Sequence, residues 1–155
     1  MIQDASGIVA AHVRSIREAC AKDYTPEQIS AWSGRTHREM IWVQTIERDY
    51  VWVVADEKES ILGFSQLNIH GDGEAYIAGL YFVPEVLLLG LGRKMMEYIF
   101  EECRKQNADL IRLESTLTAH AFYQKLGFTG YARTSISIGG VEIECVPMEM
   151  KISKS

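Results

Sequence analysis

Apolar residues in the first part of the chain recur at helical spacing, which predicts helices there. Asp4 or Ser6 can cap the first helix, whose apolar face consists of Ile8, Val9, Val13, Ile16 and Cys20. The run Thr25-Pro-Glu-Gln28 predicts a second helix, with threonine as the N-cap and proline in the first turn. Ser33-Gly34 is expected to end it, and residues 36–44 are predicted to form another short helix.

From Tyr50 onwards the pattern changes to that of strands. The run Tyr50-Val-Trp-Val-Val-Ala55 is rich in β-branched and aromatic residues, and the charged segment 56–59 predicts a turn after it. Residues 61–70 and 74–83 predict two further strands, joined by the turn Gly71-Asp-Gly73. Because the three strands follow one another closely, we expect an antiparallel meander.

A long amphipathic helix is predicted over residues 91–105, with an apolar face made of Leu91, Met95, Tyr98, Ile99 and Cys103. A strand over residues 110–115 follows it. Next come a helix over residues 118–126, capped by Thr118 and ended by Gly127, and a hairpin that turns on Gly139-Gly140. This order of elements predicts a mixed α/β layer structure.

Composition limits the classes of function. The chain has 155 residues, which fits a single domain over 1–155, and its net charge of -5 argues against a broad nucleic-acid surface. An odd number of cysteines without metal-type spacing fits free thiols in a reducing compartment: Cys20, Cys103 and Cys145. No signal-peptide pattern opens the chain, and the longest apolar run, residues 86–89, is too short to cross a bilayer. We therefore expect a cytoplasmic protein with no metal site, no membrane partner and no nucleic-acid partner.

The segment between the third strand and the long helix contains Gly90 and Gly92, followed by Arg93. The first amides of a helix have no internal partners, and together with the helix dipole they can bind an anion. The segment has no Gly-Lys-Ser/Thr ending, and Met95 stands where a dinucleotide loop has its third glycine, so neither nucleotide loop is predicted. For these residues alone, a tight turn without a ligand is the alternative.

Two spaced motifs resemble the GNAT superfamily of acyl-CoA-dependent N-acetyltransferases. The first comprises Leu80-Tyr-Phe-Val-Pro-Glu85 and Gly90-Leu-Gly-Arg-Lys-Met-Met96, and the second is Ala119-His-Ala-Phe-Tyr-Gln-Lys-Leu-Gly-Phe128. The order of predicted elements agrees with the family over nearly the whole chain. The resemblance implies a central mixed, mostly antiparallel sheet flanked by helices, with a pyrophosphate site between a strand and a helix.

The resemblance also implies acetyl-CoA as co-substrate, with its pyrophosphate on loop amides and its pantetheine arm beside the third strand. The cofactor-binding residues it implies are Leu80, Tyr81, Phe82, Leu87, Leu88, Leu89, Gly90, Leu91, Gly92, Arg93, Thr116 and Tyr123. Leu87 replaces the usual Arg or Gln, Leu88 a glycine or polar residue, and Thr116 a common asparagine. The family's opening strand is absent or reduced to residues 1–3, which leaves a sheet edge that a second copy of the chain could cover as a homodimer.

Acetyl transfer to an amine needs a proton donor for the leaving thiolate and a base for the amine. The resemblance implies that Tyr123 is the donor. Glu74 is the first candidate for the base, because it shares a face of the third strand with the position where some relatives carry a glutamate. Glu114 is a second candidate, and His70 and His120 are further ones because histidine titrates near neutral pH. Each of these four has a structural role as its alternative.

The function expected from these observations is acetyl-CoA-dependent transfer of an acetyl group to a primary amine of a small molecule or peptide, by direct attack in a ternary complex. A non-catalytic CoA-binding or sensor module with the same fold is the alternative. Four aromatic residues could line an acceptor pocket or simply pack in the core: Tyr24, Trp32, Trp42 and Tyr76. The acidic net charge suits an acceptor that carries an amine.

Overall fold

The computed structural model describes residues 1–35 and 38–153. Within these residues the α-helices are α1 (Ala5–Arg14), α2 (Pro26–Arg35), α3 (Glu39–Arg48), α4 (Leu91–Lys105) and α5 (His120–Leu126). The strands are β1 (Tyr50–Ala55), β2 (Ile61–Ile69), β3 (Glu74–Phe82), β4 (Leu110–Thr116), β5 (Thr129–Gly130), β6 (Thr134–Ile138) and β7 (Val141–Lys151). Single turns of 3-10 helix span Ile2–Asp4 and Pro84–Val86, and a π-helical turn, Ser15–Ala19, follows α1.

The described strands form one seven-stranded sheet in the order β1-β2-β3-β4-β7-β5, with β6 also paired to β7. Every pair is antiparallel except β3 with β4, so the predicted mixed, mostly antiparallel sheet and the predicted meander are both confirmed. No helix of the described residues is both long and apolar enough to cross a membrane.

The parallel pair β3–β4 is short, and this determines where a site can form. Its last paired residues are Ile77 and Leu113, beyond which β3 continues along β2 to Phe82 while β4 continues along β7 to Thr116. Against β2, Gln66 faces Gly79 and Leu67 faces Ile77, so Ala78 is an extra residue in β3 and forms a bulge. The two strands therefore separate and leave a gap, which we call the wedge.

Helices pack on both faces of the sheet. On one face, α4 and α5 contribute Met96, Ile99, Cys103 and Tyr123 to a core with Leu67 of β2 and residues of β3, β4 and β7. On the other face, Ile8 of α1 and Trp42 of α3 pack against Phe64 of β2. Phe64 and Leu67 are an odd number of residues apart, so they point to opposite faces, as strand geometry requires.

The second helix is longer than the sequence suggested. Its start is as predicted, because the Thr25 amide donates to Gln28 Oε1 at 2.9 Å and the Gln28 amide to Thr25 Oγ1 at 3.2 Å. The prediction that Ser33-Gly34 ends it is wrong, since α2 runs to Arg35. Gly34 lies inside the helix, where an added Cβ would meet no atom within 4 Å. The third helix spans Glu39–Arg48 instead of residues 36–44; residues 36 and 37 lie outside the described residues.

Three smaller predictions also differ from the structure. The bounds of α4 are as predicted, but Met96 is fully buried on its core face whereas Tyr98 is 48% exposed. The cap assigned to Thr118 is wrong: its hydroxyl donates to Asp23 at 2.7 Å, and Thr116 Oγ1 accepts the Ala119 amide at 3.0 Å. Asp4 precedes α1 without a side-chain capping bond.

Among the described residues no strand precedes β1, and the reduced strand considered for residues 1–3 is not formed. Residues Ile2–Asp4 form a 3-10 turn, and no strand in the described part of the chain pairs with the outer edge of β1.

Candidate active site

A cavity of about 320 Å³ opens from the wedge towards the start of α4. It is lined by the following predicted cofactor-binding residues: Leu80, Tyr81, Phe82, Leu87, Leu88, Gly90, Gly92, Arg93, Thr116 and Tyr123. A smaller cavity of about 20 Å³ lies between β3 and β4 and shares Leu80, Tyr81, Thr116, Ala119 and Tyr123 with the first. We call these two adjacent cavities together the cleft. Leu89 and Leu91 were predicted to belong to the site but do not line the cleft.

The amides at the start of α4 are the groups of the cleft that could bind an anion. Gly90 is the N-cap, and Leu91, Gly92 and Arg93 have no backbone acceptor within the described residues. The amide of Leu89 donates to the carbonyl of Val86 at 3.2 Å, so it is already used inside the loop. The amides of Leu91, Gly92 and Arg93 are therefore free donors at the start of α4, and Arg93, which lines the cleft, adds a positive charge beside them.

The two glycines of this loop have different structural roles. Gly90 has a φ of 76°, in the left-handed region that glycine adopts without strain. Gly92 is needed for close packing, because a Cβ there would lie 3.2 Å from the ring of Phe122 on α5. Gly90 therefore turns the loop, and Gly92 lets the first turn of α4 lie against α5.

The apolar run in the loop does not belong to the core. Leu87, Leu88 and Leu89 are 48%, 98% and 67% exposed, and the first two lie at the rim of the cleft. A polar side chain at Leu87 would reach the same rim, and the match of this residue to the family's Arg or Gln position stays a prediction.

Tyr123 is held rigidly at the floor of the cleft. Its ring is 4% exposed and packs against Phe122 and Phe128, with ring centres 5.3 and 5.4 Å away. Its hydroxyl makes no hydrogen bond to any described residue, although the residue lines both cavities. Burial raises the pKa of Tyr123 above its usual value, so the phenol is protonated at neutral pH and can donate a proton or a hydrogen bond.

Glu74, the first candidate for the base, is not brought to the cleft. It begins β3 three residues before Ile77, the first residue of this strand that lines the cleft, a distance of about 10 Å along an extended strand. Its carboxylate accepts a hydrogen bond from Arg112 at 3.2 Å. Glu74 does not line the cleft, so the structure does not place this candidate beside Tyr123.

Glu114, the second candidate, does line the cleft. Its Oε2 accepts a hydrogen bond from the hydroxyl of Tyr76 at 2.7 Å. Burial and this hydrogen bond both raise the pKa of Tyr76, so the phenol remains a donor. The sequence did not reveal the pairing of Tyr76 with Glu114, because it depends on the parallel register that sets Tyr76 beside Arg112 and Ile77 beside Leu113.

The histidine candidates lie elsewhere. His120 faces Gly130 and borders a separate depression with Tyr131 and Arg133, while His70 follows β2 in the turn to β3. Neither lines the cleft. Of the aromatic candidates, Tyr24, Trp32 and Trp42 are buried packing residues. Tyr76 donates its hydrogen bond to Glu114, which lines the cleft.

His12, which the sequence did not single out, is an unusual group in the layer under β3. Both of its ring nitrogens are shielded from solvent and make no hydrogen bond to a described residue, and its ring centre lies 4.3 Å from that of Tyr81. Burial lowers the pKa of His12 to about 4, so the ring is neutral at physiological pH. It does not line the cleft.

Comparison with known proteins places this geometry among related folds. Residues 16–128 match the model of the acetyltransferase (GNAT) family. The uncharacterized N-acetyltransferase YafP of Escherichia coli (strain K12) is 24% identical over 125 residues, which cover 81% of this chain and 75% of that protein.

Solved structures share the fold. A GCN5-related N-acetyltransferase from Rhodopseudomonas palustris, whose description adds aminotransferase class II, superposes with a TM-score of 0.86 at 22% identity, covering 97% of this chain and 91% of that one. The PaiA N-acetyltransferase from Thermoplasma acidophilum, solved in complex with coenzyme A, gives 0.77 at 21% identity, with 97% and 94% covered.

Proposed function

The chain belongs to the acetyltransferase (GNAT) family, and we propose that it transfers the acetyl group of acetyl-CoA to a primary amine of a small molecule or peptide. One observation carries the proposal. A single cleft joins an anion-binding helix start, the free edge of a strand and a buried, protonated tyrosine. These are the three parts that binding a CoA thioester and releasing its thiol require.

The residues of the cleft fit acetyl-CoA, which would supply an activated acetyl group as its thioester. The free amides of Leu91, Gly92 and Arg93 and the guanidinium of Arg93 would hold the pyrophosphate. Beyond Ile77, β3 has no strand partner on the side of β4, so its backbone near Leu80 and Phe82 is available for the pantetheine arm. Both contacts use the main chain, which explains why leucines are tolerated at the rim.

Tyr123 would donate the proton that the leaving thiolate needs. Its hydroxyl has no competing hydrogen bond within the described residues, and its raised pKa keeps the proton in place until negative charge develops on sulfur. The amine would attack the thioester directly. Of the three cysteines, Cys20 lines the cleft, but burial raises the pKa of its thiol, which disfavours a covalent acyl-enzyme.

The charge around the cleft favours an acceptor that carries a positive charge. Three glutamates and two cations lie on one face of the sheet: Glu74, Glu114 and Glu149 with Arg112 and Lys151. Arg112 contacts Glu74 and Glu149 at 3.2 and 3.3 Å, and no described cation lies within ion-pair distance of Glu114. This face therefore has excess negative charge beside the wedge, and it would attract an ammonium group. The free, buried cysteines also agree with a reducing compartment, so we propose the cytoplasm as the location.

The proposal is tested by mixing the protein with acetyl-CoA and a panel of monoamines, diamines and peptides with free N-termini. Thiol release is followed by absorbance, the acetylated product by mass spectrometry, and acetyl-CoA binding by calorimetry. We expect thiol release that depends on an amine. Binding without release for any amine would favour the sensor module, and failure to bind acetyl-CoA would contradict both functions.

A further inference from the structure

The walls of the cleft contain few groups that could accept a proton from an amine. Among the described residues that line it, Glu114 is the only carboxylate, and none is a histidine. The other ionisable lining groups are Cys20, Tyr81, Arg93, Tyr123 and Lys125. Burial raises the pKa of the Cys20 thiol and of both tyrosine phenols, so these groups stay protonated and cannot act as bases near neutral pH.

Glu114 also occupies the right place in the fold. It is the first residue of β4 beyond the last pair with β3, so it stands where the wedge opens. Tyr123 also lines the smaller cavity, which Glu114 lines. A base on one wall and a proton donor on the other would then face a single reaction centre.

The surroundings of Glu114 leave its carboxylate available. Oε2 accepts the hydrogen bond from Tyr76, and no hydrogen bond to Oε1 is formed by a described residue. No described cation lies within ion-pair distance, since Arg112, two residues earlier on the same face, is engaged by Glu74 and Glu149. Opposite Glu114 on β7 is Pro147, which has no ionisable group, with Cys145 and Glu149 two residues to either side.

We propose that Glu114 is the catalytic base that takes the proton from the acceptor amine, and that Tyr76 is the positioning residue that orients its carboxylate. This assignment rests on the proposed acetyl transfer. The ammonium form of the acceptor gives one proton to Glu114, and the neutral nitrogen then forms the C–N bond as the C–S bond breaks. Tyr123 gives its proton to the departing sulfur and regains one from the new amide nitrogen. The proton on Glu114 passes to water, so one acetyl-CoA and one ammonium yield one amide, one thiol and one proton.

The test compares two glutamates, one in the cleft and one outside it. Glu114→Gln removes the proposed base, while Glu57→Gln makes the same chemical change at an exposed residue of the turn between β1 and β2, which does not line the cleft. We expect Glu114→Gln to lower kcat roughly 10²- to 10⁴-fold and Glu57→Gln to leave it near the wild-type value. Tyr76→Phe should lower kcat by about 10- to 100-fold, as loss of a hydrogen bond to a charged group implies. Acetyl-CoA affinity, measured by calorimetry, should be unchanged in all three variants.

A weakly basic acceptor separates catalysis from structure. Methoxyamine is neutral near pH 7 and needs no base before attack, so the loss in Glu114→Gln should be much smaller with methoxyamine than with an alkylamine. Equal losses with both acceptors would show a structural role and overturn the assignment, as would wild-type rates in Glu114→Gln. If the wild type acetylates no amine, the proposed function itself fails. If the wild type and Glu114→Gln are equally active, only the role assigned to Glu114 fails.

Discussion

The two sides of the cleft are built in different ways. The side that we propose binds the cofactor, here called the cofactor side, is residues 80–93, one continuous stretch of chain that offers main-chain groups from β3, the loop and the start of α4. The side that we propose for catalysis, here called the catalytic side, consists of side chains from three separate elements: Glu114 and Tyr123, which line the cleft, and Tyr76, which donates a hydrogen bond to Glu114. A site built from backbone tolerates changes of side chain, whereas a site built from side chains depends on the register that brings them together.

This difference predicts the largest effect at Tyr123. Tyr123→Phe keeps the packing of a ring that is 4% exposed but removes the proton donor. We expect kcat to fall roughly 10²- to 10⁴-fold while acetyl-CoA affinity stays near the wild-type value. Steady-state thiol-release assays and calorimetry measure the two quantities. Tyr98→Phe, which removes a phenol 48% exposed on α4 and outside the cleft, is the matched control and should be fully active.

The helical layer that packs against Phe64 and Tyr81 is expected to be sensitive to acid. The folded-state pKa of His12, about 4, lies below the value of 6.5 for a free histidine, so the unfolded chain binds a proton more readily than the native one. The free energy of unfolding is therefore highest above pH 6.5 and should fall by about 2 to 3 kcal/mol as the pH drops towards 4.

Urea unfolding at several pH values measures this loss in the wild type and in His12→Phe. The variant should lose much of the pH dependence, whereas His70→Gln, at an exposed turn residue, should keep it. Identical pH dependence in the wild type and His12→Phe would show that other groups cause the acid sensitivity.

On the cofactor side we expect backbone changes to matter more than side-chain changes. Gly90→Ala places a side chain at a φ of 76°, which costs about 1 to 2 kcal/mol. We expect acetyl-CoA affinity to fall by about 5- to 30-fold, measured by calorimetry, because the strained loop presents the amides less well. Gly34→Ala inside α2, where an added Cβ meets nothing within 4 Å, should leave affinity unchanged. Equal acetyl-CoA affinity in Gly90→Ala and Gly34→Ala would contradict a site that binds the cofactor through backbone groups.

The smallest effect is expected at the rim. Leu87→Gln introduces the polar group that the family usually has there and should strengthen acetyl-CoA binding by a few-fold, about the value of one hydrogen bond. Leu89→Gln changes an equally apolar residue that does not line the cleft and should have no effect. If both variants bind as the wild type does, the alignment of Leu87 with the family's polar position is incorrect.

The sequence predicted the cofactor side more fully than the catalytic side for a physical reason. The loop, the helix start and the glycine turn are local features, and the structure brings most of the predicted residues to one cavity. Glu74 was preferred over Glu114 because side-chain alternation along one strand can be seen in a sequence. The point at which β3 leaves β4 cannot be seen there, since it depends on pairing between residues 36 positions apart.

Similar limits apply to smaller features. The start of α2 could be predicted because Thr25 and Gln28 are close in sequence. The cap of α5 could not, because the Thr118 hydroxyl donates to the distant Asp23, and Thr116 accepts the Ala119 amide instead. His12 gave no sequence pattern at all. Its environment exists only once α1 is packed against Phe64 and Tyr81.

The central claim is that the two sides of the cleft together acetylate an amine. The most direct measurement is mass spectrometry of the wild-type protein incubated with acetyl-CoA and the amine panel, with free thiol determined in the same samples. The account predicts at least one acceptor that gains an acetyl group, with one thiol released for each group transferred. Tight binding of acetyl-CoA with no acetylated amine and no released thiol would contradict it.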